Sequence, residues 1–389
     1  MASRMTNPTS SIDNKDYHIL VVDDDINIVK VLSRILSRQN YQVTISQSTE
    51  EARKILEKQK IDIMLLDVHM PVETGFKFCQ ELRQEPNFQL LPIIFVTAMD
   101  KNTGLEEAVS HGGDDYISKP IDKKELSAKV RAFCRIKRLQ DIVQEQKANY
   151  EREMKTARKV QKLLIPEKEI SWNKSQISLF FQPFIQISGD FVDAWVENTK
   201  LHLVISDSSG HGPSAALLGA MFKMQLNSLP TDLGLEERVS LLRKNLIQAI
   251  PENYSITFFY GILDTDYKLE YINGGNPKPL VCSKEGEIFE LPGMSPLIID
   301  LEMVRESNVR QIYLEKGSTL LLYTDGANEA LSPEDKMLET KGLIEIFKKT
   351  MQNRHTNIIK NIMLEIQNYC GENNPPQDDI AFISVKVEE

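Results

Sequence analysis

Three short aliphatic runs near the N-terminus constrain the fold of this chain more than any other feature. They span residues 18–22, 61–66 and 92–96, and each is bounded by Asp, Pro or Thr. Runs of this kind are typical of parallel strands buried on both faces. After the first run, apolar residues recur at helical spacing from Ile28 to Leu36. Strands alternating with helices predict a doubly wound α/β domain, whose functional groups gather at the carboxyl ends of the strands.

Acidic residues stand at two of these strand ends. Asp23 and Asp24 follow the first run, and Asp67 follows the second. Three carboxylates in one cleft repel one another, so such a cluster is expected to hold a hard cation such as Mg²⁺. The ion would also neutralise an incoming phosphoryl group and leave one Asp as the nucleophile. Thr97 and Lys119, at the ends of two further strands, offer a hydroxyl and an ammonium that could bind the acyl phosphate.

Four motifs in this region resemble the CheY-like receiver domain of response regulators, in the order and spacing usual for that family. They are Val21-Val-Asp-Asp-Asp25, Leu65-Leu-Asp-Val-His-Met-Pro71, Phe95-Val-Thr-Ala98 and Gly113-Asp-Asp-Tyr-Ile-Ser-Lys-Pro120. The resemblance implies a receiver domain over residues 15–138. The polar residues 1–14 before it are expected to form a disordered tail. The resemblance also implies these roles: Asp67 as phosphoacceptor, Asp23 and Asp24 for Mg²⁺, Thr97 and Lys119 for the phosphoryl group, and Tyr116 as the aromatic switch residue.

From residue 122 to about residue 165 the pattern changes to one long helical run that ends before Pro166. Apolar residues come mostly at three- and four-residue steps, although polar residues interrupt the seam. This pattern favours a coiled coil that pairs with a second copy of the chain. We therefore expect a helical linker over residues 139–170 and a homodimer.

The same helix is basic within an acidic chain. It holds 13 Lys and Arg against 6 Asp and Glu, whereas the whole chain carries a net charge of −10. The acidic balance argues against non-specific binding to nucleic acid or to an anionic membrane. A basic helix could still hold DNA, but no recognition-helix motif or aromatic interleaving accompanies the charge, so we interpret it as a solvated coiled-coil face. DNA binding remains the third hypothesis, and a steep salt dependence would reveal it.

The remaining part, residues 171–389, is rich in short apolar runs separated by turn residues. Two helical stretches interrupt these runs, at residues 213–227 and 236–250. Many strands with two long helices predict an α+β sandwich with the sheets inside and the helices outside. The predicted strands cover residues 177–181, 201–205, 256–263, 269–272, 319–323 and 380–387.

Four acidic clusters stand at or near the strand ends of this part. They are Ser188-Gly-Asp-Phe-Val-Asp193, Ser206-Asp-Ser-Ser-Gly-His-Gly212, Tyr323-Thr-Asp-Gly326 and Gln377-Asp-Asp-Ile380. An Asp before Gly is commonly just a turn residue, so each cluster alone is weak evidence. Together they predict an oxygen-only site for two Mg²⁺ or Mn²⁺ ions, and only His202 and His211 lie near them in sequence. Two such ions can activate a water for hydrolysis of a phosphomonoester.

The same clusters resemble the SpoIIE/RsbU branch of the PPM (type 2C) serine/threonine phosphatases. The segment from Arg158 to Pro166 also resembles the helix that leads into those domains, and Ser188 departs from the glycine usual in the first box. The resemblance implies a metal-dependent protein phosphatase in which hydrolysis depends on Asp207 and Asp325. The metal ligands that it implies are Asp190, Asp207, the carbonyl of Ser208, Asp325 and Asp378.

These two resemblances imply a two-component response regulator with a sensor histidine kinase as its phosphoryl donor. The implied substrate is a phosphoserine or phosphothreonine protein, typically an anti-sigma-factor antagonist. The alternative is a non-catalytic adaptor that uses the phosphatase-like fold to bind a sigma-factor regulator. Against the adaptor, clustered acids that hold no metal would destabilise the domain without any benefit.

The cysteines and the hydropathy of the chain indicate the cellular compartment in which the protein resides. The four cysteines form no CxxC pair, and no apolar stretch approaches the roughly 18 residues of a membrane span. We expect core thiols in a cytoplasmic protein with no membrane partner.

Overall fold

The computed structural model describes most of the chain as two compact units, one up to Asn149 and the other from Tyr150 onward. The described residues are 13–98, 101–164, 169–184, 187–210, 212–250, 254–293, 309–353, 357–371 and 374–388. Of the predicted tail, residues 1–12 lie outside these ranges, as do Ile165, Pro166 and His211. The two units are described separately below.

The first unit is built on one parallel five-stranded sheet. Its strands are β1 (His18–Val22), β2 (Gln42–Ser46), β3 (Ile63–Asp67), β4 (Ile93–Thr97) and β5 (Asp115–Ser118). They lie in the order β2-β1-β3-β4-β5, and every neighbouring pair is parallel. This order confirms the predicted doubly wound fold, which binds its ligands where the strand order reverses, beside β1 and β3.

Helices cover both faces of this sheet. They are α1 (Ile26–Ser37), α2 (Thr49–Lys58), α3 (Gly75–Gln84), α4 (Lys101–Ser110) and the first turns of α5 (Lys123–Leu164). Alternate residues of β1 enter opposite cores, since Leu20 packs with one apolar cluster and Ile19 with the other. Burial on both faces explains why the central strands are continuous aliphatic runs.

Helix α5 is a single helix of 42 residues, about 63 Å long at 1.5 Å per residue. This confirms the long linker helix, whereas the domain limits at residues 138/139 and 170/171 stay predictions. Leu126, Val130 and Cys134 are buried in the core of the first unit. Further along, the exposed fractions of Leu139 and Val143 are 64% and 62%.

The second unit contains two antiparallel sheets. One has the order β14-β11-β10-β9-β8 and the other the order β13-β12-β15-β16-β7-β6. The strands are β6 (Glu169–Trp172), β7 (Ser175–Gln182), β8 (Phe191–Glu197), β9 (Lys200–Ser208), β10 (Ile256–Leu263), β11 (Lys268–Gly274), β12 (Leu280–Cys282), β13 (Ile288–Glu290), β14 (Arg310–Tyr313), β15 (Thr319–Tyr323) and β16 (Ile380–Val387).

Four helices pack on these sheets, which confirms the predicted α+β sandwich. They are α6 (Pro213–Asn227), α7 (Leu235–Ala249), α8 (Glu339–Gln352) and α9 (Ile358–Cys370). The largest apolar cluster joins both sheets to α6 and α7, and a second lies under α8 and α9. The sequence prediction missed α8 and α9, although α9 buries Ile359, Ile362, Met363 and Ile366 at helical spacing.

Cysteine burial agrees with the sequence-based expectation. All four cysteines are buried free thiols, and burial raises the pKa of Cys79 and of Cys134 to about 11. Within the described ranges, every helix lacks the length or the apolar content needed to cross a bilayer.

Candidate functional site

Three carboxylates of the first unit meet at the carboxyl edge of the parallel sheet. Oxygen atoms of Asp23, Asp24 and Asp67 all lie within 4.8 Å of one another. Asp23 and Asp67 are buried, whereas Asp24 is exposed. The structure thus brings together the three acids that the sequence analysis assigned to Mg²⁺, and oxygen ligands in this number suit such an ion.

Lys119 binds two of these acids at once. Its Nζ donates to Oδ2 of Asp23 and to Oδ1 of Asp67, each over 2.8 Å. Burial raises the pKa of Asp67 and outweighs the opposing effect of the ammonium. Burial alone would lower the pKa of Lys119, but its hydrogen bonds to the two carboxylates raise it overall. The lysine therefore stays charged beside the predicted phosphoacceptor.

Thr97 and Tyr116 lie on the next two strands of the same edge. Thr97 ends β4 with a buried side chain, and in the strand register it faces Ser118 of β5. The Tyr116 ring lies 5.0 Å from Nζ of Lys129, which also donates to the Tyr116 carbonyl over 2.7 Å. Lys129 belongs to α5, and the sequence analysis missed its role because a lysine on a basic helix carries no distinctive signal.

The four predicted acids of the second unit lie at the ends of paired strands. Asp190 directly precedes β8 and Asp207 lies in β9, where Phe191 pairs with Ser206. Asp325 follows β15, and Asp378 precedes β16, the antiparallel partner of β15. We call Asp190, Asp207, Asp325 and Asp378 the four-acid site.

Burial and mutual repulsion dominate the electrostatics of the four-acid site. Burial, followed by the charges of Asp207 and Asp379, raises the pKa of Asp190 well above its ordinary value. The pKa of Asp207 is raised mainly by burial. Burial and the charges of Asp207, Asp378 and Glu329 raise the pKa of Asp325 to about 7. These carboxylates therefore require a positive partner to remain ionised together.

The donor set fits divalent metal ions. Asp190 Oδ2 is buried without a hydrogen-bond partner in the described part of the chain, which is costly unless a cation binds there. Among the described residues, no three ligand oxygens of the four-acid site lie within 4.8 Å of one another, unlike those of the first unit. The Ser208 carbonyl faces the loop before Asp190, since a Cβ on Gly189 would lie 2.8 Å from that oxygen.

Two acidic residues near the four-acid site were missed by the sequence analysis. The Asp379 carboxylate accepts hydrogen bonds from the backbone N–H of Phe184 and of Gly189, over 2.8 and 3.1 Å. It thereby holds the loop that carries Asp190. Glu329 is the second, because its charge acts on both Asp207 and Asp325. Asp379 stands inside a quoted motif and Glu329 lies three residues beyond another, but their roles depend on long-range contacts.

Histidine plays no part in the described site. His202 is buried in β9, where Nδ1 lies 2.9 Å from Tyr260 Oη and the ring stacks on Trp195 at 4.9 Å. Burial, with help from the charges of Arg238 and Lys200, lowers its pKa to about 4. His202 is therefore a neutral core residue.

Comparison with known families covers most of both units. The response regulator receiver domain family matches residues 19–131, and the stage II sporulation protein E (SpoIIE) family matches residues 197–388.

Individual relatives agree with this division. The probable transcriptional regulator ycf27 of Cyanidium caldarium is 41% identical over 125 residues, which cover 31% of this chain and 47% of that protein. The nisin biosynthesis regulatory protein NisR of Lactococcus lactis subsp. lactis is 40% identical over 116 residues, covering 30% of this chain and 49% of that protein. The chain thus spans about half the length of these curated relatives.

A solved structure supports the fold of the second unit. The SiaA-PP2C domain of Pseudomonas aeruginosa superposes with a TM-score of 0.54 at 15% identity, covering 63% of this chain and 98% of that domain. Residues 19–131 therefore belong to the receiver-domain family and residues 197–388 to the SpoIIE family, so the chain joins a receiver domain to a SpoIIE-type domain with a PPM phosphatase fold.

Proposed function

We propose that this response regulator dephosphorylates a phosphoserine or phosphothreonine protein in a metal-dependent reaction controlled by phosphorylation of Asp67. The observation that carries the proposal is the buried Oδ2 atom of Asp190, which has no partner among the described residues and lies beside Asp207. A domain that only bound a partner would gain nothing from this arrangement, because an unpaired buried acid is destabilising without a metal.

At the receiver domain, the proposed reaction is phosphoryl transfer to Asp67. A carboxylate oxygen of Asp67 would attack the phosphorus of the donor, while the bond from phosphorus to the leaving group breaks. Bound Mg²⁺, held by Asp23, Asp24 and Asp67, would supply charge neutralisation. Lys119 already contacts Asp67, so its ammonium can pair with the new phosphoryl oxygens. The buried hydroxyl of Thr97 would then bind the same group. Tyr116 would change its position against α5 in response.

At the output domain, the four-acid site and the Ser208 carbonyl would hold the metal ions through oxygen atoms. When bound, two Mn²⁺ or Mg²⁺ ions supply an activated water and neutralise the phosphoryl oxygens. Asp207 and Asp325 are the acids on which hydrolysis should depend most. Asp379 would keep Asp190 in place by holding the backbone of Gly189.

The partners follow from the two domains. A receiver domain implies a phosphodonor, and we propose a sensor histidine kinase. The likeness to the SpoIIE family suggests a small phosphoprotein substrate, such as an anti-sigma-factor antagonist.

The test is a phosphatase assay on the purified full-length chain with a phosphoserine protein and Mn²⁺. We expect phosphate release that stops in a strong chelator and in the Asp207→Asn variant. Asp335→Asn, an exposed acid elsewhere in the domain, is the matched control. Undiminished turnover by Asp207→Asn would contradict the proposal. A well-folded wild type without any turnover, for every phosphoprotein tried, would favour the adaptor.

A further inference from the structure

One side chain of α5 makes a two-point contact with the loop that carries Asp190. Gln161 Nε2 donates to the Ser188 carbonyl over 2.6 Å, and Gln161 Oε1 accepts from the Ser188 N–H over 3.1 Å. Both residues are buried. The glutamine amide therefore satisfies both backbone polar groups of one buried peptide residue, which would otherwise be costly to leave unpaired.

Ser188 connects this contact to Asp190, which lies two residues further along the chain. Oγ of Ser188 accepts from the backbone N–H of Asp190 over 2.9 Å and also donates to the carboxylate of Asp379. Asp379 in turn accepts from the N–H of Gly189. The serine that departs from the usual glycine thus has a specific use, because it links the Gln161 contact to the Asp190 backbone.

Helix α6 packs closely against this loop. A Cβ on Gly189 would lie 2.8 Å from Cβ of Ala215, and a Cβ on Gly219 would lie 2.8 Å from the Gly189 carbonyl oxygen. The loop therefore cannot move toward α6 without a clash.

A cavity lies beside Gln161. It has a volume of about 320 Å³ and lies between the last turns of α5 and α6, and Gln161 is part of its lining. Next to it, the exposed fractions of Val160 and Leu217 are 56% and 65%. Leu164 packs against the largest apolar cluster, and the buried amide of Gln161 attaches this end of α5 to the loop itself.

We propose that Gln161 is a positioning residue that fixes the Ser188–Asp190 segment, so that the metal affinity of the four-acid site depends on how the end of α5 is docked. The proposal rests on the proposed function only in taking these acids as metal ligands. A rotation of α5 by one residue, about 100°, would carry Gln161 away from Ser188. The chain thereby links the helix that leaves the receiver domain to a ligand that the phosphatase reaction needs.

The test measures Mn²⁺ binding directly, by the electron paramagnetic resonance of free Mn²⁺ titrated against the full-length chain. The variants are Gln161→Met, which keeps the length of the side chain but loses both hydrogen bonds, and Gln161→Glu, which keeps only the acceptor. Gln146→Met is the matched control, on an exposed position of the same helix. The same titration of the Asp207→Asn variant measures the Mn²⁺ that binds at the receiver site. This amount is subtracted from the total Mn²⁺ bound by each other variant.

We expect both Gln161 variants to bind Mn²⁺ about 10-fold to 100-fold more weakly at the four-acid site, the usual effect of removing an outer-shell partner. Gln146→Met should match the wild type. Turnover of p-nitrophenyl phosphate should then recover toward the wild-type value at high Mn²⁺, because a positioning defect is offset by excess metal. Far-ultraviolet circular dichroism without metal identifies a variant that fails to fold, and the other variant then carries the test.

Wild-type Mn²⁺ affinity in a folded Gln161 variant would overturn this proposal and leave the proposed function intact. A wild type that binds Mn²⁺, with the expected weakening in the variants but no phosphatase turnover, would contradict the proposed function alone.

Discussion

Nζ of Lys119 lies 2.8 Å from Oδ1 of Asp67, the predicted phosphoacceptor. The same ammonium binds Asp23, so one cation partly neutralises two buried acids. Because this contact lies within the first unit, the chemistry of Asp67 can be tested separately from the output domain.

Asp67 should accept a phosphoryl group from a small donor such as acetyl phosphate in Mg²⁺. The Asp67→Asn variant lacks the nucleophilic oxygen and should show no acid-labile phosphoryl group by intact mass. Asp25→Asn is a matched control, because Asp25 is an exposed N-cap of α1 and Asn caps a helix equally well. Labelling of Asp67→Asn at the wild-type level would show that another residue is the acceptor.

Asp379→Asn should weaken metal-dependent activity without removing a ligand of the four-acid site. Its carboxylate holds the N–H groups of Phe184 and Gly189, and the amide offers only one oxygen for them. Loss of such a supporting contact typically costs about 10-fold to 100-fold in metal affinity or activity. The measurement is the Mn²⁺ concentration for half-maximal phosphatase rate, with Asp335→Asn as control. An unchanged Mn²⁺ dependence would rule out a supporting role for Asp379.

Sequence reasoning reached the acids of both sites because each stands at or near one end of a short strand. In the first unit these ends share one edge of a parallel sheet, whereas the four acids of the second unit come from strands of two sheets. Sequence reasoning missed β2, whose residues are mostly exposed or half-exposed and so show no continuous apolar run. It also missed the roles of Asp379 and Gln161. Gly189 lies 190 residues from Asp379, and a hydrogen bond to a backbone group leaves no pattern in the side chains between them. Hydrophobic periodicity shows which face of a helix or strand is buried. It does not show long-range hydrogen bonds such as those of Asp379 and Gln161, which form only in the assembled fold.

Acid should destabilise the output domain through His202. Its folded-state pKa of about 4 lies below the ordinary value of 6.5, so as the pH falls through that interval the unfolded chain takes up a proton that the folded chain does not. The loss of stability begins near the ordinary value and is complete below the folded-state pKa, and it amounts to about 3 kcal/mol.

Scanning calorimetry at several pH values checks this prediction in the His202→Asn variant. The midpoint of the output-domain transition should fall less steeply between neutral and acidic pH than in the wild type, because the variant has no proton to take up at this position. Parallel pH curves for variant and wild type would show that His202 contributes nothing to acid sensitivity.

The exposed seam of α5 should pair with a second copy of the chain. Leu139 and Val143 lie four residues apart on one face of the helix and are exposed in the single chain. In sedimentation velocity at tens of micromolar we expect a dimer that the Leu139→Ser and Val143→Ser double variant loses. The double variant Gln144→Ser and Gln146→Ser, at exposed polar positions, should remain dimeric. A monomeric wild type, with and without phosphorylation, would contradict the coiled-coil pairing.

The phosphorylation state of Asp67 should control the rate of the phosphatase reaction. The most direct measurement is the turnover of a phosphoprotein substrate by the full-length chain with and without beryllofluoride, in the wild type and in Asp67→Asn. Coupling between two sites is typically worth 1–3 kcal/mol, so beryllofluoride should change the wild-type rate by about 5-fold to 150-fold and leave Asp67→Asn unchanged. Equal rates in all four conditions would contradict control of the output by the receiver domain.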